Sequence, residues 1–211
     1  MKRFLLCLLI VGGIFFELKA QEEMYWGLRG GLNLSNIHEK TDVDVTADWE
    51  NRTGFRLGMV IGAPLKGKLY IEPGIYFTTL GMKYKDDKDE IKLNINYLQI
   101  PILLTFRPHI GENTRLHLSA GPYVACGVGG KMKFNKVKVD IFGDDELVKR
   151  FDGGISFSGG FSIKRFYIGM GYDLGLVNIE SKSSDSAAVV VGASSETYNR
   201  NFWVGIGINL Q

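Results

Sequence analysis

The residues best suited to chemistry in this 211-residue chain are charged and amide side chains that alternate with glycine along short segments. They comprise two arginines, two carboxylates, one glutamine and one histidine: Arg29, Arg56, Glu72, Gln99, His117 and Asp173. Arginine and carboxylate groups remain stable when buried if they pair with each other and form hydrogen bonds. We therefore expect a polar network inside the fold, and an ion or proton path is the alternative.

Histidine and serine give little support for catalysis. The chain has three histidines, His38, His109 and His117, and they fall in separate segments. An enzyme site needs a nucleophile, a base and an orienting group in mutual reach. The weak candidates for lipid hydrolysis are His38 with Ser183 or Ser184. We expect no enzyme activity and no cofactor.

Two acidic clusters could hold a calcium ion through carboxylate oxygens. They consist of Asp42, Asp44, Asp48, Glu50, Asp86, Asp87, Asp89 and Glu90. Their spacing is not that of an EF-hand loop, and polar side chains are ordinary in exposed loops. The sequence therefore favours solvated acidic loops and predicts no metal site.

The elements that must position these groups are eight stretches in which apolar and polar residues alternate. They span roughly 24–34, 53–63, 68–80, 91–107, 114–127, 152–163, 165–177 and 200–210. A period of two is typical of β-strands. The connections are alternately long and short, as in membrane barrels. The sequence predicts an all-β fold: an eight-stranded antiparallel transmembrane up-and-down β-barrel, with the short turns in the periplasm.

Glycine shares the polar face of these strands, for example at Gly31, Gly58, Gly169 and Gly205. Glycine weakens a strand, so its concentration on one face requires a steric reason. Eight strands enclose an interior that side chains just fill. The polar face is therefore expected to line a narrow, filled lumen, in which the network around Arg29 and its partners acts as a plug.

Two segments depart from simple alternation. In the fourth stretch the apolar residues change face at Tyr97, which predicts a β-bulge near that residue. After the fifth stretch, apolar and polar residues again interleave up to Ile141, which predicts a hairpin extending beyond the bilayer.

The first twenty residues have the three parts of a secretory signal peptide: Lys2 and Arg3, an apolar core over 4–16, and a cleavage site after Ala20. Residues 21–211 then form one barrel domain. Cys126 would be the one cysteine left, which excludes an internal disulfide. With 25 Lys and Arg against 23 Asp and Glu, the balanced charge argues against nucleic-acid binding.

Four segments of the chain are similar to the PorT-type outer-membrane β-barrel family. They are Gly27–Ser35, Leu69–Phe77, Tyr97–Leu104 and Gly121–Tyr123. This resemblance implies an integral protein of the Gram-negative outer membrane, exported with a cleaved signal peptide and inserted by the barrel-assembly machinery. One branch of that family is tied to protein secretion.

We expect a non-enzymatic outer-membrane barrel with a surface-contact or membrane-structural role. The alternatives are a component of a secretion assembly and, with less support, an enzyme acting on outer-membrane lipids. The expected partners are outer-membrane lipid, lipopolysaccharide and proteins that contact the extracellular loops. Four lysines suit contact with lipopolysaccharide phosphates or protection of a strand edge, and both interpretations stay open: Lys131, Lys133, Lys136 and Lys138.

Overall fold

The computed structural model describes residues 24–40, 50–85, 90–134, 137–141, 149–178 and 196–210. The predicted signal peptide, Lys136, Ser183, Ser184 and most of the acidic loop residues lie outside these ranges. The described chain forms ten strands: β1 Tyr25–Lys40, β2 Glu50–Lys66, β3 Leu69–Lys85, β4 Glu90–Phe106, β5 His109–Gly111, β6 Thr114–Phe134, β7 Val137–Asp140, β8 Phe151–Ile163, β9 Phe166–Gly175 and β10 Glu196–Leu210.

Eight long strands close into an antiparallel barrel in the order β1, β2, β3, β4, β6, β8, β9 and β10. The barrel closes where β10 pairs with β1, from Trp26 opposite Leu210 to Lys40 opposite Glu196. The short strands β5 and β7 each pair only with β6. The predicted eight-stranded antiparallel barrel is confirmed. In the described ranges no helix is long and apolar enough to cross a membrane.

The two faces of each strand meet different surroundings. Large apolar side chains on the outward face remain exposed, with Leu57 at 63 % and Ile206 at 68 %. Inward side chains such as Asn33 and Asn201 are almost fully buried although they are polar. An apolar outer band around a polar interior is the arrangement that a lipid bilayer requires of a membrane barrel.

The two ends of the barrel differ in their connections. Tight turns at Gly67–Lys68 and Lys164–Arg165 join β2 to β3 and β8 to β9. The sequence predicted the second turn at these residues but placed the first at Pro64–Gly67, whereas β2 continues through Lys66. Gly67 and Lys164 adopt φ values of 56° and 52°, the left-handed conformation that tight hairpin turns need. We call this end of the barrel the turn end and the opposite end the loop end.

The strands reach further toward the loop end than the sequence predicted. The sequence predicted strand ends near residues 34, 80 and 127, yet β1 continues to Lys40, β3 to Lys85 and β6 to Phe134. The expectation was wrong because the alternation of apolar and polar residues reports contact with lipid, whereas backbone pairing continues beyond the lipid. The predicted hairpin after the fifth stretch is confirmed, since β6 pairs with β7.

The register shift predicted near Tyr97 is present, but its cause differs from the one expected. Asn96 pairs with Gly129 and Tyr97 with Gly127, so the extra residue is Val128 on β6. Strand β4 keeps its alternation, and its residues Leu93, Ile95, Tyr97 and Gln99 are all buried. The apolar residues change face because the interior itself becomes apolar toward the loop end.

An apolar cluster fills the lumen at the loop end. It consists of Leu80, Leu93, Ile95, Tyr97, Tyr123, Ala125 and Ile141. Ile141 follows β7, and its N–H donates to the carbonyl oxygen of Gly130 at 3.3 Å. The hairpin formed by β6 and β7 thereby places a fully buried side chain in this end of the barrel.

The exposed band yields a test of the inside–outside assignment. Ile206→Arg places a charge in the middle of the band and is expected to destabilise the folded barrel by about 2–4 kcal/mol. The control, Ile110→Arg, changes an exposed isoleucine of β5 at the turn end, and its expected cost is about 0–1 kcal/mol. Denaturant unfolding in lipid vesicles measures both. Equal costs would contradict the assignment.

Candidate functional site

The structure places all six predicted network residues inside the barrel. Each is at most 8 % exposed: Arg29, Arg56, Glu72, Gln99, His117 and Asp173. They project from six different strands, β1 to β4, β6 and β9. The closed sheet therefore collects side chains that are far apart in the sequence.

Arg56 and Asp173 form the ion pair at the centre of the lumen, with 3.4 Å between Nη1 and Oδ2. Arg56 projects from β2 and Asp173 from β9, so the pair crosses the lumen between strands that are not neighbours in the sheet. Asp173 also accepts hydrogen bonds from Ser156 at 2.6 Å and Asn201 at 3.2 Å. Those two residues lie directly opposite it on β8 and β10, so the strand register supplies the carboxylate with its donors.

The guanidinium of Arg56 lies close to two aromatic rings. Its central carbon lies 4.3 Å from the ring centroid of Tyr76 and 4.4 Å from that of Trp203. A cation at this distance from an aromatic face gains about 0.5–2 kcal/mol. The charge is thus compensated by one carboxylate and two π-faces, which makes its burial at mid-barrel possible.

A row of glycines continues around the barrel from Arg56. Gly31, Gly205, Gly169 and Gly160 follow Arg56 in register on β1, β10, β9 and β8. A Cβ atom at Gly31 would lie 2.3 Å from the carbonyl oxygen of Val204, and one at Gly160 would lie 2.6 Å from that of Ile168. A side chain at either of these two positions would collide with the backbone of the neighbouring strand, which gives the glycines a steric reason.

A second polar layer fills the lumen at the turn end. Tyr25 donates a hydrogen bond to the Glu72 carboxylate. The Arg107 guanidinium lies 4.0 Å from the Tyr25 ring centroid, and its Nε donates to Nε2 of His117 at 3.3 Å. Because arginine can only donate, that histidine nitrogen accepts. Ser162 lies 2.9 Å from the same nitrogen.

Sequence reasoning missed Arg107, although it is only 2 % exposed. The signal was present, because Leu103, Thr105 and Arg107 continue the inward alternation of β4 one step past its last paired residue. Arg29 and Gln99 complete the interior. Arg29 donates to Asn209 at 2.6 Å and lies 4.1 Å from the Tyr167 ring centroid, and Gln99 is buried on β4.

The space that these side chains leave at the barrel centre is small. A cavity of about 20 Å³ is bordered by Arg29, Arg56, Glu72, Trp203 and Ser158, among others. A cavity needs roughly 10–15 Å³ of such volume to hold one water molecule. The centre of the lumen is filled, as expected for eight strands.

Three members of the predicted lysine group, Lys131, Lys133 and Lys138, lie at the loop end, and the register places Lys83 and Lys92 beside them. Lys133 pairs with Lys138 on β7 and with Lys92 on β4, and Lys92 pairs with Lys83 on β3. Lys131 is exposed one step nearer the bilayer, opposite Asp140. We call Lys83, Lys92, Lys133 and Lys138 the lysine row. Lys83 and Lys92 were missed because they belong to different strands from the lysine cluster in the sequence.

The predicted catalytic candidates lie largely outside the part of the chain that the structure describes. His38 lies in β1, while Ser183 and Ser184 fall outside the described residues. The contact between Ser162 and His117 is enclosed, with exposures of 1 % and 2 %. Within the described ranges no three His, Cys, Asp or Glu side chains gather to hold a metal ion.

The fold and its apolar outer band define an integral outer-membrane β-barrel protein. The chain belongs to the outer membrane protein β-barrel domain family, whose sequence model matches residues 19–181. No protein with curated annotation matches the chain.

Solved structures with a similar fold include two outer-membrane barrels. The outer membrane protein OprG from Pseudomonas aeruginosa is 13 % identical, with 92 % of this chain and 100 % of that chain covered and a TM-score of 0.50. The outer membrane enzyme PagL is 10 % identical, with 86 % and 98 % covered and a TM-score of 0.50. At this identity the similarity concerns the fold alone.

The central ion pair can be tested with a double-mutant cycle. Arg56→Met or Asp173→Asn alone leaves a buried group without its partner, and each is expected to cost about 3–5 kcal/mol of folding free energy. The double variant is expected to cost less than the sum of the two single changes. Unfolding of the refolded variants measures these costs. Additive costs would show that the two groups do not interact.

The filled lumen predicts that the pure protein forms no long-lived conductance in planar bilayers, since eight strands leave no open channel. Single-channel recording at constant voltage checks this. Reproducible channels of uniform size would support the alternative of an ion path.

Proposed function

We propose that this protein is a non-enzymatic outer-membrane barrel that contacts phosphate-bearing lipid of the outer leaflet through the lysine row. The observation that carries the proposal is the register alignment of Lys83, Lys92, Lys133 and Lys138 on four adjacent strands. With the short turns in the periplasm, this row lies on the cell-surface side of the bilayer.

The spacing of the row suits a lipid with several phosphate groups. Neighbouring strands lie about 4.8 Å apart, so the backbone offers one lysine per strand along a line that runs around the barrel. Lysine binds phosphate as a point charge through its ammonium group. Strands of membrane barrels tilt by about 35–45°, so the row runs obliquely to the membrane surface and offers its charges over the range of depth in which lipid phosphate groups lie.

The position of the row relative to the exposed band supports the same partner. Lys92 shares the outward face of β4 with the exposed apolar residues Leu98 and Ile100. Asn94 and Asn96 lie between them on that face. The outward surface therefore changes from apolar to amide to cationic toward the loop end, the order in which a lipid presents its chains, carbonyl region and phosphates.

The enclosed interior supports a role without catalysis. The contact between Ser162 and His117 has the residue types of a hydrolytic pair, but a lipid ester cannot reach side chains that are 1–2 % exposed. Similarity to PagL concerns fold alone and transfers no activity. An unchanged acylation pattern of lipopolysaccharide in a deletion strain is the outcome expected from this proposal.

The PorT-type resemblance supports a second candidate, a component of a secretion assembly. Two of its motifs, Leu69–Phe77 and Tyr97–Leu104, lie in the adjacent strands β3 and β4, and a third begins in β1 at Gly27. In this candidate the periplasmic end contacts other subunits, and the export signal and barrel-assembly machinery act as in other outer-membrane barrels. Loss of secreted proteins from the medium of a deletion strain would favour it.

Lipid binding can be tested with matched pairs of variants. Lipopolysaccharide is added to the protein in zwitterionic detergent micelles, and the rise of the thermal unfolding midpoint gives an apparent Kd. Lys92→Gln with Lys133→Gln is expected to raise this Kd about tenfold, which corresponds to about 1.4 kcal/mol.

The control is Lys66→Gln with Lys68→Gln, two exposed lysines at the turn end, and it is expected to leave the Kd unchanged. Dephosphorylated lipopolysaccharide is expected to give no stabilisation. Equal effects of the two double variants would contradict the proposed contact.

A further inference from the structure

We propose that the centre of the barrel is a binding site for one ordered water molecule, which joins Arg56 and Trp203 to Glu72. The site is the cavity of about 20 Å³ that these three residues border together with Ser158 and Arg29. It is separate from the lysine row, which lies at the loop end.

Two residues that border this cavity each carry a buried N–H group with no acceptor among the described residues. These groups are Nε of Arg56 and Nε1 of Trp203. Both residues are more than nine-tenths buried. A buried donor without an acceptor costs about 1–3 kcal/mol, so two such donors at one cavity indicate that the cavity holds an acceptor.

The volume limits what that acceptor can be. About 20 Å³ accommodates one water molecule, which needs roughly 10–15 Å³ on the same measure. Buried water molecules in proteins make about three hydrogen bonds to polar groups that lack other partners. A multi-atom anion such as phosphate or carboxylate requires more room.

The charges around the cavity favour water over a halide ion. Arg56 already pairs with Asp173, while Arg29 and Glu72 contribute one positive and one negative charge at the wall. A halide would add an uncompensated negative charge, which is costly in an enclosed site. It can also only accept hydrogen bonds, whereas water can accept from Arg56 and Trp203 and donate to the Glu72 carboxylate.

The water also explains how Glu72 is accommodated. Glu72 accepts a hydrogen bond from Tyr25, and it lines the cavity opposite cationic side chains without forming a direct ion pair with any described residue. A bridging water gives this carboxylate a second donor and couples it to Arg56. The two polar layers of the lumen thereby become one connected network.

The test is nuclear magnetic resonance on the ¹⁵N-labelled protein in detergent micelles. A cross-peak at the water frequency is expected for the indole N–H of Trp203, with the sign of a water that stays bound for longer than a nanosecond. Trp26 is the internal control, because its side chain is half exposed in the apolar outer band, and it is expected to show no such peak.

Two further measurements distinguish bound water from a hydroxyl proton and from a chloride ion. Ser158→Ala removes a hydroxyl proton whose exchange could imitate bound water, and the cross-peak is expected to persist. A chloride titration is expected to leave the Trp203 indole ¹⁵N shift unchanged. A missing cross-peak, its loss in Ser158→Ala, or a saturable chloride-dependent shift would each overturn the proposal.

Discussion

The narrow width of an eight-stranded lumen is the constraint on which the structure depends. In lipid every backbone polar group needs a partner, so the sheet has to close on itself, as it does where β10 meets β1. With eight strands, closure leaves an interior that side chains just fill. Each inward residue therefore either fills part of the lumen with its side chain or, as a glycine, leaves room for a neighbouring residue.

Arg56 illustrates how this constraint is met. Its side chain reaches Asp173, which projects from a strand that is not adjacent to β2 in the sheet. The rings of Tyr76 and Trp203 lie close to the same guanidinium. Glycine weakens an individual strand, but Gly31 and Gly160 leave the room that the backbone of the neighbouring strand occupies.

The sequence was informative wherever a strand has lipid on one side. Outward residues such as Ile206 and Leu57 alternate with inward polar residues, and this period of two predicts the strands, their faces and the burial of Arg29 and Asp173. The sequence did not show that Arg56 pairs with Asp173, because this contact depends on the stagger of the strands around the whole barrel. Alternation within one strand carries no information about that stagger.

The same limit applies to the loop end. Lys92 and Lys133 are neighbours through the register of β4 with β6, which sequence distance does not reveal. The apolar residues Leu93, Ile95 and Tyr97 indicated a change of face, because a polar lumen was assumed along the whole barrel. An apolar lumen at one end requires no such change.

Val128 affects the structure through the extra residue that it adds to β6 more than through its side chain. Before it, the inward residues of β6 are Tyr123 and Ala125, with odd numbers; after it, Met132 packs against the apolar cluster inside. One additional backbone unit thus reverses the phase of the remaining strand and leaves Lys131 on the outer surface. The number of residues in β6 therefore determines which side chains at this end point into the barrel. A deletion at this point would exchange the inner and outer faces, whereas a substitution would keep them.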